Sequence, residues 1–248
     1  MGHPLESFER IFVINLTSRA DRRREMSQQL HRIGLKLGHG PVELFQAVRP
    51  DDAGEFPSIG SRGCYLSHLG VLRRALSLDL RSILVLEDDL DFSDDFADAM
   101  PHVAARLANE PWAMFYGGGR MDAAPRRSPA SGCVVLDPDE GVGTTHFYGL
   151  RGPIIAELAD YLQLLLERPA GHPDGGPMHV DGAYCWFRRR RPEYLTLIAS
   201  PELGYQRLSR TDVHALRWYD RSLGVRHLMS LVRRVRRTMD AARAGSRP

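Results

Sequence analysis

The chain has 248 residues, of which 43% are hydrophobic and 26% charged, and these proportions are ordinary for a globular protein with a sizeable core. Its formal net charge of +2 argues against a dedicated nucleic-acid binder, because such proteins carry a large positive excess. Three widely spaced cysteines without a CxxC pair argue against a disulfide framework or a zinc site. The start of the chain lacks the pattern of a signal peptide, and no apolar run reaches the ~20 residues that span a bilayer. We therefore expect a cytoplasmic protein.

The first half of the chain predicts strands that alternate with helices. Ile11 to Asn15 ("IFVIN") predicts a strand, and Arg19 to Ile33 predicts a helix with Met26 and Leu30 on one face. Three further patterns follow in order: a strand in "VELFQAV", a helix in "GCYLSHLGVLRRALSL" with Leu66, Leu69, Leu72 and Leu76 on its apolar face, and a strand in "SILVLE". The last of these is an unbroken apolar run, typical of a strand buried on both faces of a parallel sheet. Phe92, Phe96, Met100, Val103 and Leu107 then predict a helix interrupted by Pro101, and "WAMFYGGG" predicts another strand.

The second half is less regular. Arg120 to Pro138 and Arg168 to Pro177 predict loops because they are rich in Pro and Gly. Between them, "THFYGLRG" predicts a strand and Ile154 to Leu166 predicts a helix. The pattern indicates an α/β class with an open sheet, as one domain over residues 1–216 followed by a tail over 217–248.

The stretch "ILVLEDDLDFSDDF" carries the candidate chemistry, since Glu87, Asp88 and Asp89 end a buried strand where open α/β sheets bind ligands. Alternation along an extended chain would point Glu87 and Asp89 the same way and Asp88 the other. Two carboxylates on one side can hold a hard divalent cation, Mg²⁺ or Mn²⁺. The alternative is an acidic turn that caps a helix. We interpret 87–89 as functional and Asp91 to Asp95 as a solvated lead into the next helix.

Five segments resemble glycosyltransferase family 25, which includes bacterial lipooligosaccharide galactosyltransferases. They occur in family order over Ile11 to Val213: "FVINLTSRADRRREM", "GSRGCYLSHLGVLRRAL", "ILVLEDDLDF", "GTTHFYGL" and "SPELGYQRLSRTDV". The resemblance implies a GT-A-like fold, a Rossmann-type open mixed sheet flanked by helices. It also implies transfer of a hexose, with galactose favoured, from a UDP-sugar to a saccharide or glycolipid acceptor, as in the synthesis of lipopolysaccharide or another surface glycan.

The site residues are predicted from this resemblance together with the local pattern. Asp181, a solitary acid among apolar and aromatic residues, is the candidate general base for the acceptor hydroxyl, with a helix N-cap or an acceptor contact as alternatives. His146 could complete a cation site or be a structural histidine. Ser67 and His68 could contact the donor or fix the acidic loop, and Arg207 or Arg210 could neutralise the leaving diphosphate. The predicted catalytic residues are Asp181 and Asp88; the donor-binding residues are Asn15, Arg22, Ala47, Ser67, His68, Glu87, Gln206 and Arg207; and the ligands of Mn²⁺ or Mg²⁺ are Glu87, Asp89 and His146.

One departure from the family pattern follows the second strand. The family commonly has an acid-glycine pair there, whereas this chain has Arg49 and Pro50. The contacts with the base and ribose of the donor near Gln46 and Ala47 can therefore differ from those of the family, and so can the donor sugar.

The tail predicts a basic amphipathic helix. Apolar residues of one stripe, such as Val225 and Leu228, lie beside six arginines between 226 and 243. Such a helix can lie on an anionic membrane, here the inner face of the cytoplasmic membrane, or it can dock on its own domain or a partner chain.

Two other functions are compatible with the same acids. A metal-dependent phosphohydrolase would use the cation to activate water, and a degenerate transferase fold would bind a sugar nucleotide without catalysis. The sequence leaves the oligomeric state open.

Overall fold

A computed structural model describes residues 5–121 and 132–207 of the chain. These residues form nine strands and five helices. The strands are β1 (Arg10–Asn15), β2 (Val42–Gln46), β3 (Ser82–Glu87), β4 (Leu90–Phe92), β5 (Met114–Tyr116), β6 (Cys133–Val135), β7 (Phe147–Arg151), β8 (Thr196–Ala199) and β9 (Gly204–Gln206). The helices are α1 (Ala20–Arg32), α2 (Ile59–Ser77), α3 (Phe96–Asn109), α4 (Ile154–Leu166) and α5 (Val180–Arg190).

Seven of the strands form one mixed sheet in the order β2-β1-β3-β7-β5-β8-β6. β1 is parallel to β2 and β3, whereas β7 runs antiparallel to both β3 and β5. β8 is parallel to β5, and β6 is antiparallel to β8. The carboxyl ends of β1, β2, β3, β5 and β8 therefore meet at one edge of the sheet, where β7 begins. We call it the carboxyl edge.

The core lies on both faces of this sheet. Ile83 and Val85 of β3 pack in one apolar cluster with residues of α2, α4 and α5, while Leu84 and Leu86 pack in a second cluster with residues of α1 and α3. All four side chains are buried, which explains why β3 is an unbroken apolar run. The predicted class, an open mixed α/β sheet flanked by helices, is confirmed.

Several local predictions need correction. β6 lies within the segment predicted to be a loop, because its three residues pair with β8. Phe92 belongs to β4 and not to the following helix, and α3 continues through Pro101. Leu76, predicted on the buried face of α2, is 42% exposed because the helix packs through Tyr65, Leu69 and Leu72 instead.

Two predictions concern the tail. Residues 208–248, with the predicted basic helix and the proposed boundary at 216, lie outside the described residues, so the domain division stays a prediction. Within the described part of the chain, none of the helices has the length and apolar character needed to span a membrane.

Candidate functional site

The three acids form a turn at the carboxyl edge. Glu87 is the last residue of β3, Asp88 and Asp89 follow as a turn, and β4 begins at Leu90. Asp88 and Asp89 are buried, with 7% and 3% of their surface exposed, whereas Glu87 is half-buried. Because buried carboxylates are costly unless they are paired, their neighbours define what this turn can do. We call residues 87–89 the acid turn.

Asp88 is held by two residues that precede it by more than sixty positions. The Asn15 amide nitrogen donates a 2.7 Å hydrogen bond to Asp88 Oδ2, and the Arg22 guanidinium donates a 2.9 Å bond to Oδ1. Asn15 ends β1, the strand beside β3, and Arg22 lies in the first turn of α1. Burial raises the pKa of Asp88 although Arg22 and Asn15 both act to lower it. Both carboxylate oxygens are thus engaged within the protein.

Asp89 is less completely satisfied. Its Oδ2 lies 3.4 Å from the Arg22 guanidinium and accepts a 3.3 Å hydrogen bond from the Gln206 amide. Its Oδ1 is buried and has no hydrogen-bond partner among the described residues. Burial, followed by the negative charge of Glu87, raises the pKa of Asp89 to about 7. Asp89 is therefore the acid of the turn whose carboxylate is least well paired within the described residues.

Glu87 belongs to a different group of side chains. The Thr145 hydroxyl donates a 2.8 Å hydrogen bond to Glu87 Oε1, and His68 Nε2 lies 3.4 Å from the same oxygen. Burial disfavours the ionised form of Glu87, but His68 and Thr145 outweigh it and hold the pKa below its usual range. His68 Nδ1 lies 2.9 Å from the Tyr148 hydroxyl, which lies 2.9 Å from that of Tyr184. A chain of polar groups thus runs from the sheet edge into the core.

These contacts correct the expected alternation of the three acids. Asp88 and Asp89 both reach Arg22, while Glu87 contacts Thr145 and His68. Alternation holds only in extended chain, and the chain turns directly after Glu87. Asp91 also differs from its prediction, since it lies in β4 and pairs with Arg207, whereas Asp94 and Asp95 are exposed as expected.

His146 lies just before β7, at the same edge. Its Nδ1 is 3.0 Å from the Thr144 hydroxyl and its Nε2 is 3.5 Å from the Gly204 carbonyl oxygen. Burial lowers the pKa of this imidazole, so the neutral form, which can bind a metal, is favoured. Among the described residues, however, His146 is not in a close group of ligand atoms with Glu87; such a group is formed by Cys64, His68 and Glu87.

Asp181 lies in the first turn of α5, half-buried, where its Oδ1 accepts a hydrogen bond from the Gly182 backbone. It does not cap α5, which begins after His179 without a side-chain cap. Its charge and those of Glu87 and Asp89 act, after burial itself, to raise the pKa of the Cys64 thiol. The charge of Asp181 thus acts on Cys64, which lies close to Glu87 of the acid turn.

The other predicted donor contacts have their polar groups engaged within the fold. The Ser67 hydroxyl donates to the Gly63 carbonyl and accepts from the Val48 backbone N–H, which fixes the chain after β2 on α2. The Ala47 N–H donates to the Asn15 carbonyl. Arg207 forms ion pairs with Asp91 and Glu25, so it ties β9 to β4 and α1.

Sequence reasoning missed three contributors to the site: Thr145, Tyr148 and Gly118. A Cβ on Gly118 would lie 2.0 Å from the Gly204 carbonyl oxygen, so a glycine is needed for β9 to approach. The glycine run after β5 and the Thr-Thr-His sequence before β7 were visible signals, but their partners are distant in sequence.

The residues of the acid turn fit a divalent cation. Asp89 Oδ1 is buried and has no partner in the described part of the chain, and burial, followed by the charge of Glu87, raises the pKa of Asp89. Carboxylate oxygens are the ligands that Mg²⁺ and Mn²⁺ prefer. The donor set is therefore suitable for such an ion, with Asp89 as its best-placed ligand.

Known proteins are similar to this chain over part of its length. Residues 8–117 match the model of "Glycosyltransferase family 25 (LPS biosynthesis protein)". A "Glycosyltransferase 25 family member" of Drosophila pseudoobscura pseudoobscura is 29% identical over 181 residues, which are 66% of this chain and 28% of that protein. Human "Procollagen galactosyltransferase 2" is 27% identical over 129 residues, covering 45% of this chain and 21% of that protein. The mouse "Inactive glycosyltransferase 25 family member 3" is 28% identical over 167 residues, covering 60% and 25%.

The chain thus spans less than a third of the length of these relatives. Among solved structures, a glycosyltransferase "involved in the glycosylation of the major capsid of PBCV-1" is 11% identical, with a TM-score of 0.46 over 77% of this chain and 81% of that one. The resemblance to glycosyltransferase family 25 predicted from the motifs is confirmed by the sequence matches: residues 8–117, which contain β1 to β5 and the whole acid turn, match the model of that family.

Proposed function

We propose that this protein is a metal-dependent, inverting hexosyltransferase that uses a UDP-sugar, with galactose as the favoured hexose. The acid turn carries the proposal, because it gathers three carboxylates at the carboxyl edge and leaves Asp89 Oδ1 buried without a partner among the described residues. The match to the family supports the transferase class, and the similarity to a galactosyltransferase supports the sugar.

The cation would be held by Asp89, with Glu87 and His146 at the same edge as further candidate ligands. Bound there, Mn²⁺ or Mg²⁺ would stabilise the charge that develops on the leaving diphosphate. Arg22, held between Asp88 and Asp89, adds a fixed positive charge beside it. Asp88 thus acts by positioning Arg22, since Asn15 and Arg22 already engage both of its oxygens.

The transfer itself needs a base and an acceptor. Asp181 accepts the proton of the acceptor hydroxyl, whose oxygen attacks the anomeric carbon of the donor. A new C–O bond forms on the face opposite the diphosphate, the old C–O bond breaks, and UDP leaves with the bonding electrons. One displacement inverts the anomeric configuration. Asp181 is suited to this role because it is half-buried at the start of α5, and its charge acts on Cys64 as those of Glu87 and Asp89 do.

The acceptor that we propose is a saccharide or glycolipid of lipopolysaccharide or another surface glycan. The description of the matched family as an LPS biosynthesis protein supports it, as does the basic amphipathic pattern after residue 217. Such a reaction would take place in the cytoplasm, at the inner face of the membrane.

A nucleotide-sugar panel tests this function. Melting temperatures are measured for each UDP-sugar with and without Mn²⁺, and transfer is then assayed with the sugar that binds. We expect a cation-dependent shift for one donor, and loss of both shift and transfer in Asp89→Asn. Asp95→Asn is the matched control, since it removes an exposed acid six residues away and should behave like the wild type. Full transfer by Asp89→Asn would refute the assignment.

The similarity to a relative named inactive favours one alternative, a protein that binds a sugar nucleotide without catalysis. A cation-dependent shift without transfer to any saccharide would support it. Release of the sugar from UDP at the same rate with and without acceptor would instead indicate hydrolysis.

A further inference from the structure

Three side chains of different chemistry converge beside the acid turn. One ligand atom each of Cys64, His68 and Glu87 lies within 4.8 Å of the other two. Cys64 and His68 are four residues apart on α2, so they lie on one face of that helix, and Glu87 ends β3 opposite them. We call these residues the thiol cluster.

We propose that the thiol cluster is a second cation site, selective for Zn²⁺ or a similar thiol-binding divalent cation. A thiolate, an imidazole nitrogen and a carboxylate oxygen are the three ligand types that Zn²⁺ uses in proteins. The thiolate and the carboxylate together neutralise the charge of the ion, while the histidine binds in its neutral form. The fourth position is left for water, as in zinc sites that keep an open coordination position.

The distances suit such an ion. Zinc bonds of about 2.0–2.3 Å in a tetrahedron place neighbouring ligand atoms roughly 3.3–3.8 Å apart. His68 Nε2 and Glu87 Oε1 are 3.4 Å apart, and the thiol sulfur lies within 4.8 Å of both. A cation can enter from the side of Cys64 and Glu87, because these residues are half-buried whereas His68 is 1% exposed.

Surrounding residues orient two of the three ligands. The Tyr148 hydroxyl lies 2.9 Å from His68 Nδ1, so its oxygen can accept a hydrogen bond from the Nδ1–H, which leaves the lone pair of Nε2 for the cation. Tyr184 continues this chain, and the Thr145 hydroxyl holds Glu87 Oε1. In metal-binding histidines, the N–H of the other ring nitrogen usually donates a hydrogen bond to an acceptor, which fixes the ring and raises the affinity for the metal.

The thiol makes the cluster selective. Cysteine binds a metal ion as the thiolate, whereas the free thiol carries a proton. A cation must displace that proton to bind. Zn²⁺ and Co²⁺ form strong thiolate bonds, whereas Mg²⁺ and Mn²⁺ prefer oxygen ligands. The thiol cluster and the Asp89 site should therefore bind different ions.

Cobalt gives a readout that does not depend on catalysis, and so it distinguishes this inference from the proposed transfer. Co²⁺ is titrated into the full chain, and the near-ultraviolet thiolate-to-cobalt absorption is followed. We expect one Co²⁺ per chain with that band, its displacement by stoichiometric Zn²⁺, and its persistence in excess Mg²⁺. Cys64→Ser should abolish the band. Cys185→Ser is the matched control, since that half-buried thiol interacts with the Val142 backbone and lies outside the cluster.

A second variant keeps the test decisive if Cys64→Ser folds poorly. Tyr148→Phe removes only the hydroxyl beside His68, and we expect it to lower the affinity for Co²⁺ by about 10- to 100-fold while the band remains. A wild-type chain without a thiolate band, a band that survives Cys64→Ser, or an unchanged affinity in Tyr148→Phe would each overturn the proposal.

Discussion

Asn15 and Asp88 join the ends of two neighbouring parallel strands through a 2.7 Å hydrogen bond that is buried and spans 73 positions of the chain. Asn15 also donates to the Arg19 carbonyl at 3.1 Å, so one side chain connects β1, the start of α1 and the acid turn. The acid turn is thus fixed by the strand beside it as well as by its own backbone.

Replacing Asn15 with alanine should destabilise the protein, because it leaves a buried Asp88 oxygen without its donor. We expect a loss of about 1–3 kcal/mol in the free energy of unfolding, measured with urea. Asn109→Ala is the control: its amide bonds to the Ala105 carbonyl on an exposed helix end, so the change should stay within about 0.5 kcal/mol. Equal losses in the two variants would contradict the role of Asn15.

Replacing Asp89 with asparagine should stabilise the protein at alkaline pH. The pKa of Asp89 rises from 3.8 to about 7 in the folded state, so the folded protein holds a proton that the unfolded chain has lost. The contribution of this group to stability therefore falls as the pH rises from about 4 to 7, and the penalty is complete above 7. We expect Asp89→Asn to melt higher than the wild type at pH 8.

The melting difference should shrink as the pH falls toward 4, where both forms of the protein carry a neutral side chain at this position. Asp95→Asn, at an exposed site, should show no such dependence on pH. A melting difference between Asp89→Asn and the wild type that is the same at pH 5 and pH 8 would show that the charge of Asp89 is not its cause.

Replacing Gly118 with alanine should displace β9. The new Cβ would lie 2.0 Å from the Gly204 carbonyl oxygen, which is backbone and cannot rotate away. Overpacking of this kind costs about 1–3 kcal/mol in unfolding free energy. Gly141→Ala is the matched control, because a Cβ there meets nothing within 4 Å. The free energy of unfolding of both variants is measured by chemical denaturation. Equal values would show that β9 does not pack closely against Gly118.

Replacing Arg22 with methionine should be more damaging than any other change at the site. Arg22 is buried and pairs with both Asp88 and Asp89, so its loss leaves two buried carboxylates without their shared cation. Breaking a buried pair in this way costs about 3–5 kcal/mol. Arg24→Met, on the exposed side of the same helix, should cost less than about 0.5 kcal/mol.

The charge dependence of the Arg22 effect can be checked separately. Adding Asp89→Asn to Arg22→Met should recover part of the lost stability, because one of the two unpaired charges is removed. No recovery in the double variant would indicate that packing of the arginine stem, and not its charge, carries the effect.

Local patterns predicted most of the first half of the fold, and one strand and one helix of the second, β7 and α4. The bounds of α4 match the prediction because its apolar face repeats over thirteen residues between clear breakers. β6 was missed because three residues carry too little pattern, and only pairing with β8 makes them a strand. The same limit explains Asp91: its place in β4 depends on β9, more than one hundred positions later.

The position of the site along the chain could be predicted from the sequence, but the contacts within it could not. The acid turn could be located because a buried strand ends in acids. The directions of its side chains depend on contacts with Arg22, Thr145 and Gln206. These residues are far from the acid turn in sequence, so no local pattern predicts the contacts. His68 shows the difference: the motif suggested either a donor contact or a residue that fixes the acidic loop, and its ring lies between Glu87 and Tyr148, which agrees with the second.

The pairing of β4 with β9 has a consequence for how the site comes into being. A chain that ended at residue 117 would hold all three acids of the acid turn and the whole region matched by the family, yet it would lack Thr145, His146, Asp181 and Gln206. During synthesis the acids emerge from the ribosome long before these partners do. Until residue 206 has been added, Asp89 lacks its hydrogen bond from Gln206 and β4 lacks its partner β9, so the ability to hold a cation and a donor is acquired last.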